Sequence, residues 1–186
     1  MKRLFLIALL FGTMLFAPAF AQDNKTPRVV LDTSAGKITI ELYADKSPIT
    51  VKNFLQYVDD KHYDGTIFHR VIADFMIQGG GFEPGLKQKK GVREAIKNES
   101  GNGVRNERGF IAMARTKELD SATCQFYINV VDNKRLDSAN YCAFGKVIDG
   151  MDVVDAIRRV DTGEQNGMEN VPVKDVVIKT VRRVAK

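Results

Sequence analysis

The chain has 186 residues, with 28 Lys and Arg against 23 Asp and Glu. That excess is too mild to argue for nucleic acid or another polyanion as a partner. The length suits one domain with a sizeable core. Residues 1–21 stand apart from it. Lys2 and Arg3 precede an almost unbroken apolar run, Leu4 to Phe16, and Ala19-Phe20-Ala21 is a small-x-small cleavage signature before Gln22. This pattern is a secretory signal peptide. A membrane anchor is the competing reading, but the run is short of the ~20 apolar residues of a spanning helix. No cysteine sits near Ala21, which excludes lipid attachment there. Cleavage leaves 165 residues and a formal charge of +3, from 26 basic against 23 acidic side chains. The expected organisation is a signal peptide over 1–21, a loose polar leader over 22–27 and one domain over 28–186. The expected location is the periplasm, with secretion as the alternative and no membrane attachment after cleavage.

Arg28 to Thr33 and Lys37 to Tyr43 read as a hairpin joined through Ser34-Ala35-Gly36. Ile38, Ile40 and Leu42 alternate with Thr39 and Glu41, so one face is buried and the other wet. Ser47-Pro48 starts a helix, with an N-cap followed by proline at the first helical position. It runs to about Val58 with Val51, Phe54, Leu55 and Val58 on one face. His62 falls in a polar loop and reads as a solvated side chain. Ile67 to Ile72 and Phe75 to Ile77 are two short strands rich in β-branched and aromatic residues. Phe82 to Glu107 is glycine-rich and poor in apolar residues, a surface excursion. It holds Lys87, Lys89, Lys90 and Arg93, read as a solvated loop rather than as a patch for acidic partners. Strands follow at Phe110 to Ala114, Gln125 to Val131 and Cys142 to Val147, the last two expected to pair antiparallel. That register holds Cys124 and Cys142 too far apart for a disulfide. Asp149 reads as the cap of a helix from Met151 to about Val160, and Pro172 to Val184 supplies the last strand. About eight strands, not interleaved one-for-one with helices, favour an antiparallel sheet closed into a barrel over a doubly wound sheet.

The stretch with most chemistry is Tyr63 to Gly81, YDGTIFHRVIADFMIQGGG. One cation (Arg70), one amide (Gln78) and a large apolar pair (Phe75, Met76) are set into it, and three glycines end it. Taken alone it is a core hairpin with a surface arginine. Elsewhere the chemistry is thin. The two histidines, His62 and His69, are not joined by HExxH or CxxC spacing, so zinc lacks its usual ligands. No GxSxG and no GxxxxGK[ST] occurs. His69, between Phe68 and Arg70, reads as a buried structural histidine.

FHRV, FMIQGG, MAR and CQFYINV resemble the cyclophilin family of peptidyl-prolyl isomerases, over Arg28 to about Lys179, and the periplasmic bacterial members most closely. The resemblance implies a mainly β fold, an eight-stranded closed antiparallel barrel capped by two α-helices. It implies isomerisation of X-Pro bonds without cofactor or metal. The implied partners are proline-containing peptides and exported proteins during folding, met by a monomer. Arg70 matches the family's catalytic arginine, and Gln78 the glutamine that supports it and bonds substrate backbone. Phe75 and Met76 match the floor and wall of the proline pocket. Tyr127 matches a pocket aromatic that is often phenylalanine, and Leu136 a further apolar wall. Ala114 and Arg115 match a rim whose backbone pairs with substrate, with Gln125 beside them. Tyr141 stands near a common histidine and Arg135 where a tryptophan often lies, which implies poor sensitivity to cyclosporin. An exported chaperone or peptide-binding module would use the same groove with little catalysis.

Overall fold

The computed structural model describes residues 26–184; the signal peptide read over 1–21 lies outside them. The chain begins with a hairpin of β1 (Arg28–Thr33) and β2 (Gly36–Leu42). Val29, Leu31, Ile38, Ile40 and Leu42 all turn to its inner face and are fully buried. Gly36 makes the turn with φ +136°, and a Cβ there would lie 2.7 Å from Val153, so both backbone and packing call for glycine. Helix α1 (Pro48–Asp59) follows. Its Phe54 sits among the rings of Tyr63, Phe126 and Phe144, with centroids 5.1, 5.6 and 5.4 Å away. Each such aromatic pair adds about 0.5–1.5 kcal/mol beyond area burial.

The next strands are β3 (Thr66–Ile72), β4 (Met76–Gly79), and the two-residue β5 (Phe82–Glu83) and β6 (Lys87–Gln88). Then come β7 (Phe110–Met113) and β8 (Phe126–Asn129), helix α2 (Lys134–Ser138), β9 (Ala143–Asp149) and helix α3 (Met151–Ile157). An outlying hairpin of β10 (Thr162–Gln165) and β11 (Met168–Pro172) precedes β12 (Val177–Arg183). Eight strands close a barrel in the order β1-β12-β3-β4-β8-β7-β9-β2, and every neighbouring pair is antiparallel. The expected barrel is therefore present. A continuous core of Ile, Val, Leu and Phe side chains fills it.

Five local readings are corrected. β8 and β9 do not pair, because β7 lies between them and pairs with both. Cys124 and Cys142 are nevertheless both free and buried. The Met113 N–H reaches the Cys142 carbonyl and the Ala114 N–H the Gln125 carbonyl. The cysteines thus flank β7 at two strand spacings, roughly 9–10 Å, beyond disulfide reach. His62 is buried, packed on Tyr57 and Tyr63 at 4.7 and 5.7 Å. The loop beyond β4 folds back here, with the Lys89 N–H on the Gly81 carbonyl and its ammonium on Glu83. Gly150, with φ +88°, holds the position before α3 in place of Asp149. The segment Pro172 to Val184 divides between β11 and β12, and Asn166-Gly167, both at positive φ, turn the unforeseen β10–β11 hairpin. Finally, a third short helix, α2, adds to the two expected.

The 84–107 excursion is tied down at both ends of α1. Arg93 pairs with Asp60, and its N–H donates to the Tyr57 hydroxyl. The Glu99 carboxylate accepts the Ile49 and Thr50 N–H groups at 3.0 and 2.8 Å. Ser47 occupies the N-cap position, but its side chain makes no cap bond. Asn102 Nδ2 instead donates to Ser47 Oγ at 2.5 Å. Glu99 therefore satisfies the helix N–H groups that a cap serine ordinarily would.

Candidate active site

Strict alternation along β3 would aim Arg70 inward with Phe68 and leave Val71 outside. A β-bulge prevents this. Phe68 opposes Gly79 and Arg70 opposes Gln78, so His69 is the extra residue. After the bulge Val71 returns to the core and Arg70 stands on the outer wall, half-buried. His69 is buried at 2 % exposure against Phe82, ring centroids 4.6 Å apart. Burial, with the Arg70 charge beside it, lowers its pKa to about 4, so the imidazole is neutral at pH 7.

From Arg70 a row of residues crosses the outer wall. Arg70 opposes Gln78 on β4, Gln78 opposes Tyr127 on β8, Tyr127 opposes Ala112 on β7, and Ala112 opposes Ala143 on β9. At ~4.8 Å per strand the span from Arg70 to Ala112 is roughly 14 Å, the length of a few extended residues. Met76, Ala112, Tyr127, Leu136 and Ala143 form an apolar cluster separate from the barrel core, with Ile72, Phe75, Val104, Ala114 and Tyr141 packed on it. Gln78 Nε2 donates to Gln125 Oε1 at 2.9 Å. Gln125 lies directly over Gly81, where a Cβ would come within 2.5 Å of it; the glycine is what lets the glutamine settle. Arg70 has no carboxylate partner among the described residues.

All ten residues singled out from the sequence therefore lie on this wall or at its margin. Arg115 is the most constrained. Its guanidinium sits 4.4 Å from the Tyr141 ring centroid and donates to the Thr116 and Ala139 carbonyls at 2.9 and 2.5 Å. The Ala114 N–H is already bonded to the Gln125 carbonyl. Tyr127 and Tyr141 meet edge-on at 6.1 Å. Burial pushes the Tyr127 phenol far up, so it is a neutral donor, and it donates to Asn106 Oδ1 at 2.9 Å.

That bond opens onto a buried amide network. Asn129 Nδ2 donates to Asn106 Oδ1 at 3.3 Å, and Asn133 Nδ2 to Asn129 Oδ1 at 2.7 Å and to the Phe75 carbonyl at 2.8 Å. Asn106 Nδ2 donates to Asp137 Oδ1 and to the Tyr141 carbonyl. Phe75, Tyr127 and Tyr141, which come from three separate segments, are thus held by one connected set of bonds. The asparagines had one signal in the sequence: Asn129 interrupts the apolar stretch FYINVV, whereas Asn133 reads as the residue before α2, where it makes no side-chain cap bond. Their targets are distant in sequence, so nothing local revealed their use.

The arrangement offers a forked guanidinium donor at the edge of an apolar cluster that includes aromatic rings, with two amides beside it. Among the described residues no cluster of His, Cys, Asp or Glu is arranged to hold a metal, and no helix is long and apolar enough to cross a membrane. The family description "Cyclophilin type peptidyl-prolyl cis-trans isomerase/CLD" matches residues 28–183. The chain is 50% identical over 175 residues to peptidyl-prolyl cis-trans isomerase A of Dickeya dadantii, covering 92% of this chain and 91% of the relative. It is 53% identical over 160 residues to peptidyl-prolyl cis-trans isomerase B of Escherichia coli, covering 82% and 97%. A Cryptosporidium parvum cyclophilin-type isomerase, crystallised in the presence of the dipeptide Ala-Pro, superposes with a TM-score of 0.75 at 26% identity, covering 86% of this chain and 99% of that one. Barrel and sequence agree: the chain belongs to the cyclophilin-type peptidyl-prolyl cis-trans isomerases.

Proposed function

We propose that the outer-wall row binds an extended peptide and that Arg70 catalyses rotation about its X-Pro bond. The barrier, ~18–20 kcal/mol, arises because the nitrogen lone pair is delocalised into the carbonyl. In the twisted state that pair localises on nitrogen. A donor aimed at the nitrogen stabilises only this state, the condition for raising the rate. Arg70 supplies a forked, preorganised donor. A ~10⁵-fold acceleration requires about 7 kcal/mol, and one charge-assisted hydrogen bond contributes roughly 1.5–3 kcal/mol. The remainder comes from the pocket. Phe75, Met76, Tyr127 and Leu136 clamp the proline ring, and Tyr141 closes one side. Gln78 holds substrate backbone, braced by Gln125. The rim at Ala114 and Arg115 pairs with the peptide through the Ala114 carbonyl and the Arg115 N–H, since the Ala114 N–H is already bonded.

The observation that carries this reading is the bulge at His69, which sets an arginine without a carboxylate partner among the described residues beside an apolar cluster. The test is a prolyl-peptide isomerisation assay on residues 22–186 and on Arg70→Ala. The variant should keep the wild-type circular dichroism and lose most of the activity. Activity within about twofold of wild type would remove Arg70 from the mechanism, because a mere surface charge contributes little.

The cellular role follows from the leader. The signal peptide is cleaved before Gln22, and the enzyme works as a monomer in the periplasm on exported proteins as they fold. The pattern in residues 1–21 supports this. N-terminal sequencing of the protein recovered from the periplasm should begin at Gln22, and an intact Met1 would overturn the reading.

A further inference from the structure

Three guanidinium groups border the candidate pocket: Arg70 on β3, Arg115 beyond β7 and Arg135 on α2. Elsewhere most of the described arginines are neutralised, with Arg105 and Arg159, both exposed, the exceptions. Arg28, Arg93, Arg108, Arg158, Arg182 and Arg183 each pair with an aspartate or glutamate. The three at the pocket have no such partner among the described residues. Acids close to them in the chain are engaged otherwise. Asp137 accepts both the N–H and the side-chain amide of Asn106. Asp132 accepts the Arg108 N–H. The Asp74 side chain is 92 % exposed, with Arg158 at 3.6 Å. The margin therefore gathers three guanidinium groups without a direct carboxylate partner among the described residues, in a chain whose other described arginines are mostly paired.

The three cations are not equivalent. Arg70 faces the reaction, and Arg115 is bonded to backbone carbonyls. Arg135 is exposed, and its guanidinium rests on the Phe75 ring, 4.6 Å from the centroid, with no hydrogen bond to the described residues. Its planar fork is both placed and unoccupied. A carboxylate can take such a fork through two parallel hydrogen bonds, which a lysine ammonium cannot.

We propose that this enzyme selects among prolyl peptides by charge, favouring substrates with aspartate or glutamate flanking the proline, and that Arg135 is the selecting residue. The proposal rests on the reading that the proline ring packs against Phe75. With the ring there, the side chains of neighbouring substrate residues fall at the margin where Arg135 lies. An acidic one meets a free donor pair. A basic one meets three uncompensated cations. Because the margin is exposed, the selection is modest and sensitive to salt.

The test uses short prolyl peptides identical except for glutamate, alanine or lysine immediately before or after the proline. The glutamate-to-lysine ratio of kcat/KM should be about threefold to tenfold at ~10 mM salt, the scale of an exposed ion pair gained against a repulsion incurred. It should fall toward one at ~1 M, where the Debye length shrinks from about 30 Å to about 3 Å. Arg135→Gln should lower the low-salt ratio by about half or more, and Arg135→Glu should bring it below one. A wild-type ratio near one at low salt, or a ratio unchanged in Arg135→Glu with folding confirmed by circular dichroism, would overturn the proposal. If the wild type turns over none of the peptides, the isomerase reading itself has failed. Fluorescence titration of the same peptides then decides the charge selection by the same ratios.

Discussion

Arg135 also decides what else can lie on the pocket wall. In cyclophilins sensitive to cyclosporin, a tryptophan at this position supplies a flat apolar surface and an indole N–H. Here the guanidinium itself covers one face of the Phe75 ring. An arginine stem can lie on apolar surface, but the charged head resists desolvation under an apolar ligand. Loss of a central aromatic anchor typically costs about 2 kcal/mol or more, tens-fold in affinity. The wild type should therefore be poorly inhibited by cyclosporin, and Arg135→Trp should gain at least tenfold, read as inhibition curves against one alanine-proline peptide. Tight inhibition of the wild type, or no gain in the variant, would place Arg135 away from the ligand.

Among the elements, α1 shows how a loop without regular structure can govern a helix. Its first N–H groups are satisfied by Glu99, some fifty positions away in the chain. Glu99→Ala should destabilise the protein by about 1 kcal/mol, the usual worth of a cap, and more than Ser47→Ala does through cap loss, since Ser47 makes no cap bond. The urea midpoint of Glu99→Ala checks this; a midpoint equal to the wild type's would show that the helix end does not depend on Glu99. The strands themselves were legible, because period-two alternation and turn residues are local signals, and Val29, Leu31, Ile38 and Ile40 obey them. What pairs with what was not. The order β8-β7-β9 depends on contacts across the barrel, and the expectation that β8 meets β9 failed for that reason. The candidate site was legible at Arg70, Phe75, Met76 and Gln78 through the words FHRV and FMIQGG. The bulge that aims Arg70 outward was not, since FHRVI reads equally well as an uninterrupted strand. His62 was misjudged because polar neighbours in sequence said nothing of the loop that folds back to meet it.

For the molecule as a whole, these burials set a pH response. His69 keeps its proton only below about pH 4 when folded, but from about pH 6.5 downward once unfolded. Between those values the unfolded chain binds the extra proton, so stability is full above about pH 6.5 and falls as the pH drops toward 4, by roughly 3 kcal/mol. His62, also lowered by burial, acts in the same direction. Asp59, Asp64 and Asp155 are held below the usual carboxylate range by Arg183, Arg182 and Arg108, and add their losses at still lower pH. Urea midpoints at pH 7 and 4.5 should differ markedly in the wild type and less in His69→Gln; parallel slopes would show that His69 is not the group responsible. Above this acid-labile range the barrel holds a packed interior and leaves its chemistry on the outside wall. A wall has no entrance. On the proposed binding mode, a substrate laid along the row from Arg70 to Ala143 approaches sideways, and neither end of it has to be threaded through anything. A proline hundreds of residues from a terminus is as reachable as one in a tetrapeptide, provided only that its immediate neighbours can straighten. Bound in that way, substrates of any length should be served alike.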